Sequence, residues 1–280
     1  MKVALVLEGG AMRGLYTAGL LDELLDTNIK VDGIIGVSAG ALFGVNYKSK
    51  QKGRALRYNI KYANDKRYLS LHSLFTTGNL VNTEFAYHTI PTKLEIFDEE
   101  TYSKNKIDFY ATVTNIETGE AEYKKIINAT IQVDELRASG SMPFVSTPVK
   151  INDNYYLDGA LADSIPVRKA KEMGYDKIIV VLTRPKEYRK KKRPSIIAKL
   201  FYGKYPNLVN AINTRYKKYN DTIELIEKLE KKKEIFVFRP SKDLQIKRVE
   251  KDKEKLQAMY DLGIKDFKDN LKDLKKYLKK

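Results

Sequence analysis

The chain has 280 residues, 42% of them hydrophobic, enough for one sizeable core and slightly long for a single average domain; without cysteine it can hold neither disulfides nor thiolate metal sites. No apolar run approaches the ~18 residues of a membrane span, and Val3 to Leu7, which ends at Glu8, is too short for a signal-peptide core, so a cytoplasmic protein is expected. The net charge of +16 is uneven: residues 1–185 carry 23 Lys plus Arg against 22 Asp plus Glu, and residues 186–280 carry 29 against 14, which suits a polyanionic partner or, equally, a solvated lysine face.

In chain order, Val3-Ala4-Leu5-Val6-Leu7 reads as a buried strand, and after a glycine turn Leu15, Ala18, Leu21, Leu24 and Leu25 mark one face of a helix that Asn28 can stop. Val31 to Val37 reads as a second strand running into Ser38, with a second helix starting at Ala41. Two successive βα units call for a parallel sheet, because parallel strands need a crossover between them. Polar helical stretches follow near Arg54 to Ala63 and Thr83 to Thr89. Ile107 to Val113 and Glu120 to Ile127 form a hairpin pattern around Thr118-Gly119, and Tyr155 to Asp158 ends a further strand. Lys177 to Leu182 is a near-continuous apolar run and Glu234 to Pro240 a late strand ended by proline. Ile223, Ile226 and Leu229, then Leu256, Met259, Tyr260 and Leu262, have helical spacing. The expected fold class is α/β, a mostly parallel central sheet with helices on both faces.

Gly36-Val37-Ser38-Ala39-Gly40 carries the clearest chemical signal. A strand delivers Ser38 to a sharp turn and a helix begins at once, which lifts the hydroxyl to the C-terminal edge of the sheet, while Gly36 and Gly40 permit backbone crowding. A nucleophilic serine needs a base. The two histidines, His72 and His88, both precede the late position that an α/β-hydrolase would use, and are expected to be ordinary residues. The other candidate is Asp158, in Asp158-Gly159-Ala160 at a strand end, although Asp-Gly alone is commonly just a turn. The first loop, Glu8-Gly9-Gly10-Ala11-Met12-Arg13-Gly14, joins strand to helix and can aim successive N–H groups at an oxyanion. It lacks the spaced second glycine of a dinucleotide-binding turn, and Arg13 stands where a small residue belongs in that motif.

These blocks together resemble the patatin-like phospholipase family: the loop Gly9 to Gly14, the elbow Gly36 to Gly40, Asp158-Gly159-Ala160 and, more loosely, Ala138 to Phe144. The likeness spans roughly residues 1–185, expected to be a catalytic core, with residues 186–280 a basic, mainly helical extension whose late strand packs on it. It implies a three-layer fold and a serine acyl hydrolase with a Ser38–Asp158 dyad. Backbone N–H groups around Gly10, Ala11 and Met12 would hold the oxyanion, and Arg13 would fix the loop. Where the family often has a third glycine this chain has Ala11, which matters if its φ is positive. The substrate implied is a lipid or other ester, without cofactor or metal. The basic run Lys186 to Arg193, followed by Phe201, Tyr202 and Tyr205, suits peripheral contact with an anionic membrane; no nucleic-acid motif is present. The competing reading is a basic membrane- or nucleic-acid-binding protein with a degenerate hydrolase core.

Overall fold

The structure, a computed structural model, describes residues 1–192 and 196–279. The strands are β1 (Val3–Leu7), β2 (Gly33–Val37), β3 (Asp108–Asn115), β4 (Ala121–Lys125), β5 (Val149–Ile151), β6 (Asn154–Asp158), β7 (Lys177–Val181) and β8 (Ile235–Phe238). The helices are α1 (Leu15–Leu25), α2 (Ala39–Lys48), α3 (Arg54–Lys61), α4 (Leu71–Thr77), α5 (Glu99–Lys104), α6 (Val133–Gly140), α7 (Val167–Glu172), α8 (Ile196–Tyr202), α9 (Pro206–Lys231) and α10 (Lys253–Leu278). A π-type helix, Glu84–Leu94, contains Pro91.

One sheet runs in the order β5-β6-β3-β2-β1-β7-β8, with β4 on β3. The run β3-β2-β1-β7-β8 is parallel and β4, β5 and β6 are antiparallel, so the sheet is mostly parallel. Alternation along β1 sets the layers: Val3, Leu5 and Leu7 pack with α1, α2 and α10, whereas Ala4 and Val6 pack with α7 and α9. Both faces are covered, which is why β1 reads as an unbroken apolar run. Truncating Leu5, fully buried, would cost about 2–5 kcal/mol. The last helix lies directly on the first. A Cβ on Gly19 of α1 would sit 2.1 Å from the Tyr260 carbonyl oxygen, and one on Gly263 of α10 would sit 2.0 Å from that of Tyr16, so no other residue permits this approach.

The sheet also brings two distant strand ends together. Tyr110 pairs with both Ile35 and Lys125, and Val113 with both Asp158 and Glu122, which puts β2 and β6 on the same edge of β3 with β4 opposite. Val37 lies opposite Thr112 and Asp158 opposite Val113, its neighbour. Strands β2 and β6 therefore run toward each other and meet end to end, with Ser38 leaving one and Asp158 ending the other.

Element boundaries differ modestly from the sequence expectations. β2 starts two residues later than Val31, and just before it the Asp32 carboxylate accepts the Val3 N–H (2.7 Å). The hairpin β3–β4 turns at Gly119, whose φ is +67°. The first helix is preceded by a 3₁₀ turn, Ala11–Gly14, which the glycine pattern does not announce.

Candidate active site

Ser38 sits between β2 and α2 with φ +54° and ψ −124°, a conformation costing a non-glycine residue on the order of 1–3 kcal/mol. Local bonds hold it there. Its carbonyl accepts the Ala41 and Leu42 N–H groups (2.9 and 3.0 Å), starting α2, and its own N–H donates to the Ser139 hydroxyl of α6 (2.8 Å). Gly40 is required by close approach, since a Cβ there would lie 2.4 Å from the Leu7 carbonyl oxygen; Gly36 likewise faces the backbone of Ala41 at 2.6 Å. Ser38 is only 8% exposed.

Asp158, 5% exposed, accepts the Ala160 N–H (2.8 Å), and the Ser38 side chain lies near enough to favour its ionised form. Its backbone is pinned by Asp158 N–H to the Ser141 carbonyl (2.8 Å) and by the Thr114 hydroxyl to its own carbonyl (2.9 Å). Gly159 continues into a 3₁₀ turn directly beneath Thr112. Burial pushes the Asp158 carboxyl above its ordinary range, while Arg215, the Ala160 N–H and the Ser38 hydroxyl pull the other way. A carboxylate made more basic and set beside a serine hydroxyl can take its proton.

The first loop closes over this pair. Ala11 has φ +49°, so the alanine occupies a left-handed position where glycine would be unstrained. The N–H groups of Gly10 and Ala11 meet no acceptor among the described residues, and Gly10 is buried; these are donors without a partner, as an oxyanion site needs. Gly9 lies against Ser38, Met12 is in the core, and Gly14 begins α1 beside Ala39 and Phe43. Arg13 donates to the Ile246 carbonyl (3.4 Å), and burial lowers its guanidinium to about 10. Glu8 organises the loop in a way its sequence position does not reveal. Its carboxylate accepts the Thr183 N–H (2.6 Å) and hydroxyl (3.1 Å), tying the end of β1 to that of β7, and after burial it helps hold the pKa of the Tyr219 phenol of α9 up.

Ser38 lines two cavities. One, about 200 Å³, is apolar, walled among others by Met12, Leu42, Phe43, Ile90 and Leu136. The other, about 1240 Å³, also reaches Asp158, Gly10 and Ala11 and is cationic, with Arg184, Lys190, Arg215 and Arg248 in its wall. His72 is exposed on α4 and His88 is exposed beside the apolar cavity; neither is brought to Ser38.

A family model of patatin-like phospholipases matches residues 5–171. The chain belongs to that family. A second model, a domain of unknown function (DUF6363), matches residues 205–279. Over 250 residues the chain is 27% identical to the uncharacterized protein YjjU of Escherichia coli, covering 87% of this chain and 70% of that one. It is 29% identical over 189 residues to the lysophospholipase NTE1 of Cryptococcus neoformans, covering 64% of this chain but only 11% of that much longer protein. Among solved structures, VipD from Legionella pneumophila aligns over 96% of this chain and 67% of that one, with 13% identity and a TM-score of 0.41.

Relative to the family match, the site has two sources. Ser38, Asp158, the first loop and Ser139 lie within it, whereas Arg184, Lys190, Arg215 and Arg248 lie beyond residue 171. Ser139 falls in the segment Ala138 to Phe144, but nothing in its local sequence announces a bond to Ser38. The expected basic surface run is also corrected at one position. Lys190 turns inward, its ammonium 3.6 Å from the Tyr219 ring centroid and 3.3 Å from the Ser164 hydroxyl, because α9 offers an aromatic face there. Lys191 and Lys192 are exposed, and Arg193 lies outside the described residues.

Proposed function

We propose that the chain is a serine acyl hydrolase of the phospholipase A or lysophospholipase type, with Ser38 as nucleophile and Asp158 as general base. The reading rests on the meeting of β2 and β6 end to end on β3, which sets buried Asp158 beside Ser38, whose side chain favours the ionised carboxylate. Asp158 takes the hydroxyl proton as Ser38 Oγ bonds to the ester carbonyl carbon. The carbonyl oxygen gains the electron pair and is held by the Gly10 and Ala11 N–H groups, aided by Met12 and by Arg13 bracing the loop. As the tetrahedral centre collapses, the proton on Asp158 passes to the departing alcohol. Water then attacks the acyl-serine, losing its proton to Asp158, and Ser38 recovers that proton as the fatty acid leaves. Every step uses groups of this chain and water. Fluorophosphonate labelling with peptide mapping tests it: Ser38 alone should be modified. Labelling at another serine overturns the assignment, and no labelling favours the basic binding-protein reading.

The site's surroundings support work at a lipid surface. No helix among the described residues is long and apolar enough to cross a membrane. Yet α8 exposes Ile196 (88%), Leu200 (80%) and Phe201 (60%), and α4 exposes Phe75 (84%). The loop 142–147 beside the cleft links both helices: the Phe144 N–H donates to the Tyr202 hydroxyl (3.1 Å), and the Thr147 N–H donates to the Asn79 side chain (2.9 Å) just after α4. Lys191, Lys192, Lys199 and Lys204 flank α8, each contributing about 1 kcal/mol at best near anionic lipid. Sedimentation with anionic liposomes should therefore fall for Leu200→Ser with Phe201→Ser; equal binding would leave α8 without this role.

A further inference from the structure

The cationic cleft beside Ser38 contains more charge than the chemistry of the dyad uses. Arg13, Arg184, Lys190, Arg215 and Arg248 face it, against the carboxylates of Glu8, Asp158 and, at the rim, Glu187. Two of those carboxylates are already committed: Glu8 to the Thr183 N–H and hydroxyl, Asp158 to the Ala160 N–H. Among the described residues, Arg184, Arg215 and Arg248 have no carboxylate in salt-bridge contact, and the buried Nε of Arg215 has no hydrogen-bond partner at all. The surplus is also unfavourable in itself. Burial, followed by the repulsion of Arg215, pushes the Lys190 ammonium well down, and Arg248 opposes Arg215 in turn. Such crowding is tolerated where an anion completes the site, since guanidinium groups bind phosphate through paired, charge-assisted hydrogen bonds.

We propose that Arg184, Lys190, Arg215 and Arg248, all contributed by the chain beyond the patatin-like match, form a binding site for a phosphate group carried by the acyl substrate. The site rests on the hydrolase reading for its purpose but not for its ability to bind phosphate. Ser38 lies on the wall shared by both cavities, so an ester held at its Oγ extends its acyl chain into the apolar cavity and its other half into the cleft. The phosphate then bridges Arg215, half-buried on α9, and Arg248, exposed and lining both cavities, with Lys190 over the Tyr219 ring of α9. The region matched as a domain of unknown function thereby acquires a task, since Arg215 and Arg248 both fall inside it. It reads the polar half of the substrate while the patatin-like part does the bond-breaking.

The experiment compares kcat/KM for four oleoyl substrates: lysophosphatidic acid, lysophosphatidylcholine, monooleoylglycerol and oleoyl-coenzyme A. The expected result is preference for phosphate-bearing substrates over monooleoylglycerol, with that ratio falling about tenfold or more in Arg248→Gln and in Lys190→Gln, the effect of losing one charge-assisted hydrogen bond. Lys272→Gln, an exposed charge on α10, should leave the ratio where it was. Preference for lysophosphatidic acid assigns the phosphate to a lipid headgroup; preference for oleoyl-coenzyme A, lost in the same variants, assigns it to a soluble thioester. A ratio unchanged in both variants, with only a common pH shift for all substrates, would overturn the site and leave the cations as modulators of Asp158. Calorimetric binding of inorganic phosphate to Ser38→Ala protein, with and without Arg248→Gln, separates the two readings. Phosphate bound without any esterase activity in the wild type retains the site and rejects the hydrolase, whereas no phosphate binding in an active enzyme rejects the site. Since Arg248 is exposed, its substitution leaves the core untouched.

Discussion

The apolar and cationic cavities meet at one serine but are built by different stretches of the chain and by different physics. The apolar wall comes almost entirely from residues between Ala11 and Met142, drawn together by helices that cover one face of the sheet, with Arg248 the C-terminal residue it shares with the cationic cavity. Its residues gain by leaving water, at roughly 25 cal/mol per Å². Apart from Arg13, the cationic wall comes from residues after Thr183, and its like charges oppose one another. They are held by the packing of α9 and α10 on the core, through Tyr219, Ile223 and Ile226 on one face and the Gly19–Gly263 crossing on the other. An apolar cavity explains itself as part of the core, whereas a cluster of like charges held in place by other groups points to something outside the chain.

The sharpest way to break this division is at the point both cavities share. Ser38→Ala should abolish ester hydrolysis while leaving the far-ultraviolet circular dichroism unchanged, and Asp158→Asn should lower kcat/KM on the order of a thousandfold or more, because an amide cannot accept the proton. The same aspartate variant should melt at a higher temperature near neutral pH. With its folded-state pKa raised above the unfolded value, Asp158 contributes stability below the unfolded pKa and loses it as pH climbs through the folded one; asparagine removes that loss. A lower melting temperature would show the carboxylate to be structurally favourable.

The cationic side sharpens through pH. With Asp158 as the proposed general base, the acid limb of activity should lie above the ordinary carboxylate range. Arg215 pulls that pKa down, and Arg215→Gln should move the limb to higher pH; a limb that stays still would disconnect α9 from the dyad. On the apolar side the effect should be gentler. Leu42→Trp, filling part of the cavity, should shift the ratio of long-chain to short-chain ester hydrolysis several-fold toward short chains, roughly the effect of one or two methylenes. Smallest of all, His72→Ala and His88→Ala should stay within about twofold of the wild-type rate, as exposed residues away from Ser38. A histidine variant as inactive as Asp158→Asn would replace the dyad by a triad.

Much of the molecule was readable in advance because its signals are local. Strand β1, the glycine elbow and the helix faces of α1, α9 and α10 are written in periodicities of two and 3.6 residues, which bury one side of an element whatever its neighbours are. The elbow is of the same kind: Gly40 must be glycine because the Leu7 carbonyl is close by, and that need shows in a five-residue pattern. Asp158 was different. Its own surroundings are only those of a turn, and it stood out through the resemblance of several spaced blocks.

What remained hidden was whatever depends on two segments meeting. Ser139 donates nothing to its own neighbourhood and becomes meaningful when its hydroxyl takes the Ser38 N–H across 101 positions of sequence. Glu8 reads as the opening residue of the glycine loop, yet its carboxylate ties that loop to Thr183 at the end of β7. Composition alone located the excess positive charge in the C-terminal part, but it could not separate Lys190, turned onto Tyr219, from Lys191 and Lys192 in solvent. Sequence determined which elements form and where a serine could be made reactive, because backbone sterics and burial act over a few residues. Tertiary structure alone decided that β2 and β6 end head to head on β3, putting acid beside serine and a crowd of cations beside both, because strand pairing and helix docking choose partners over the whole length of the chain.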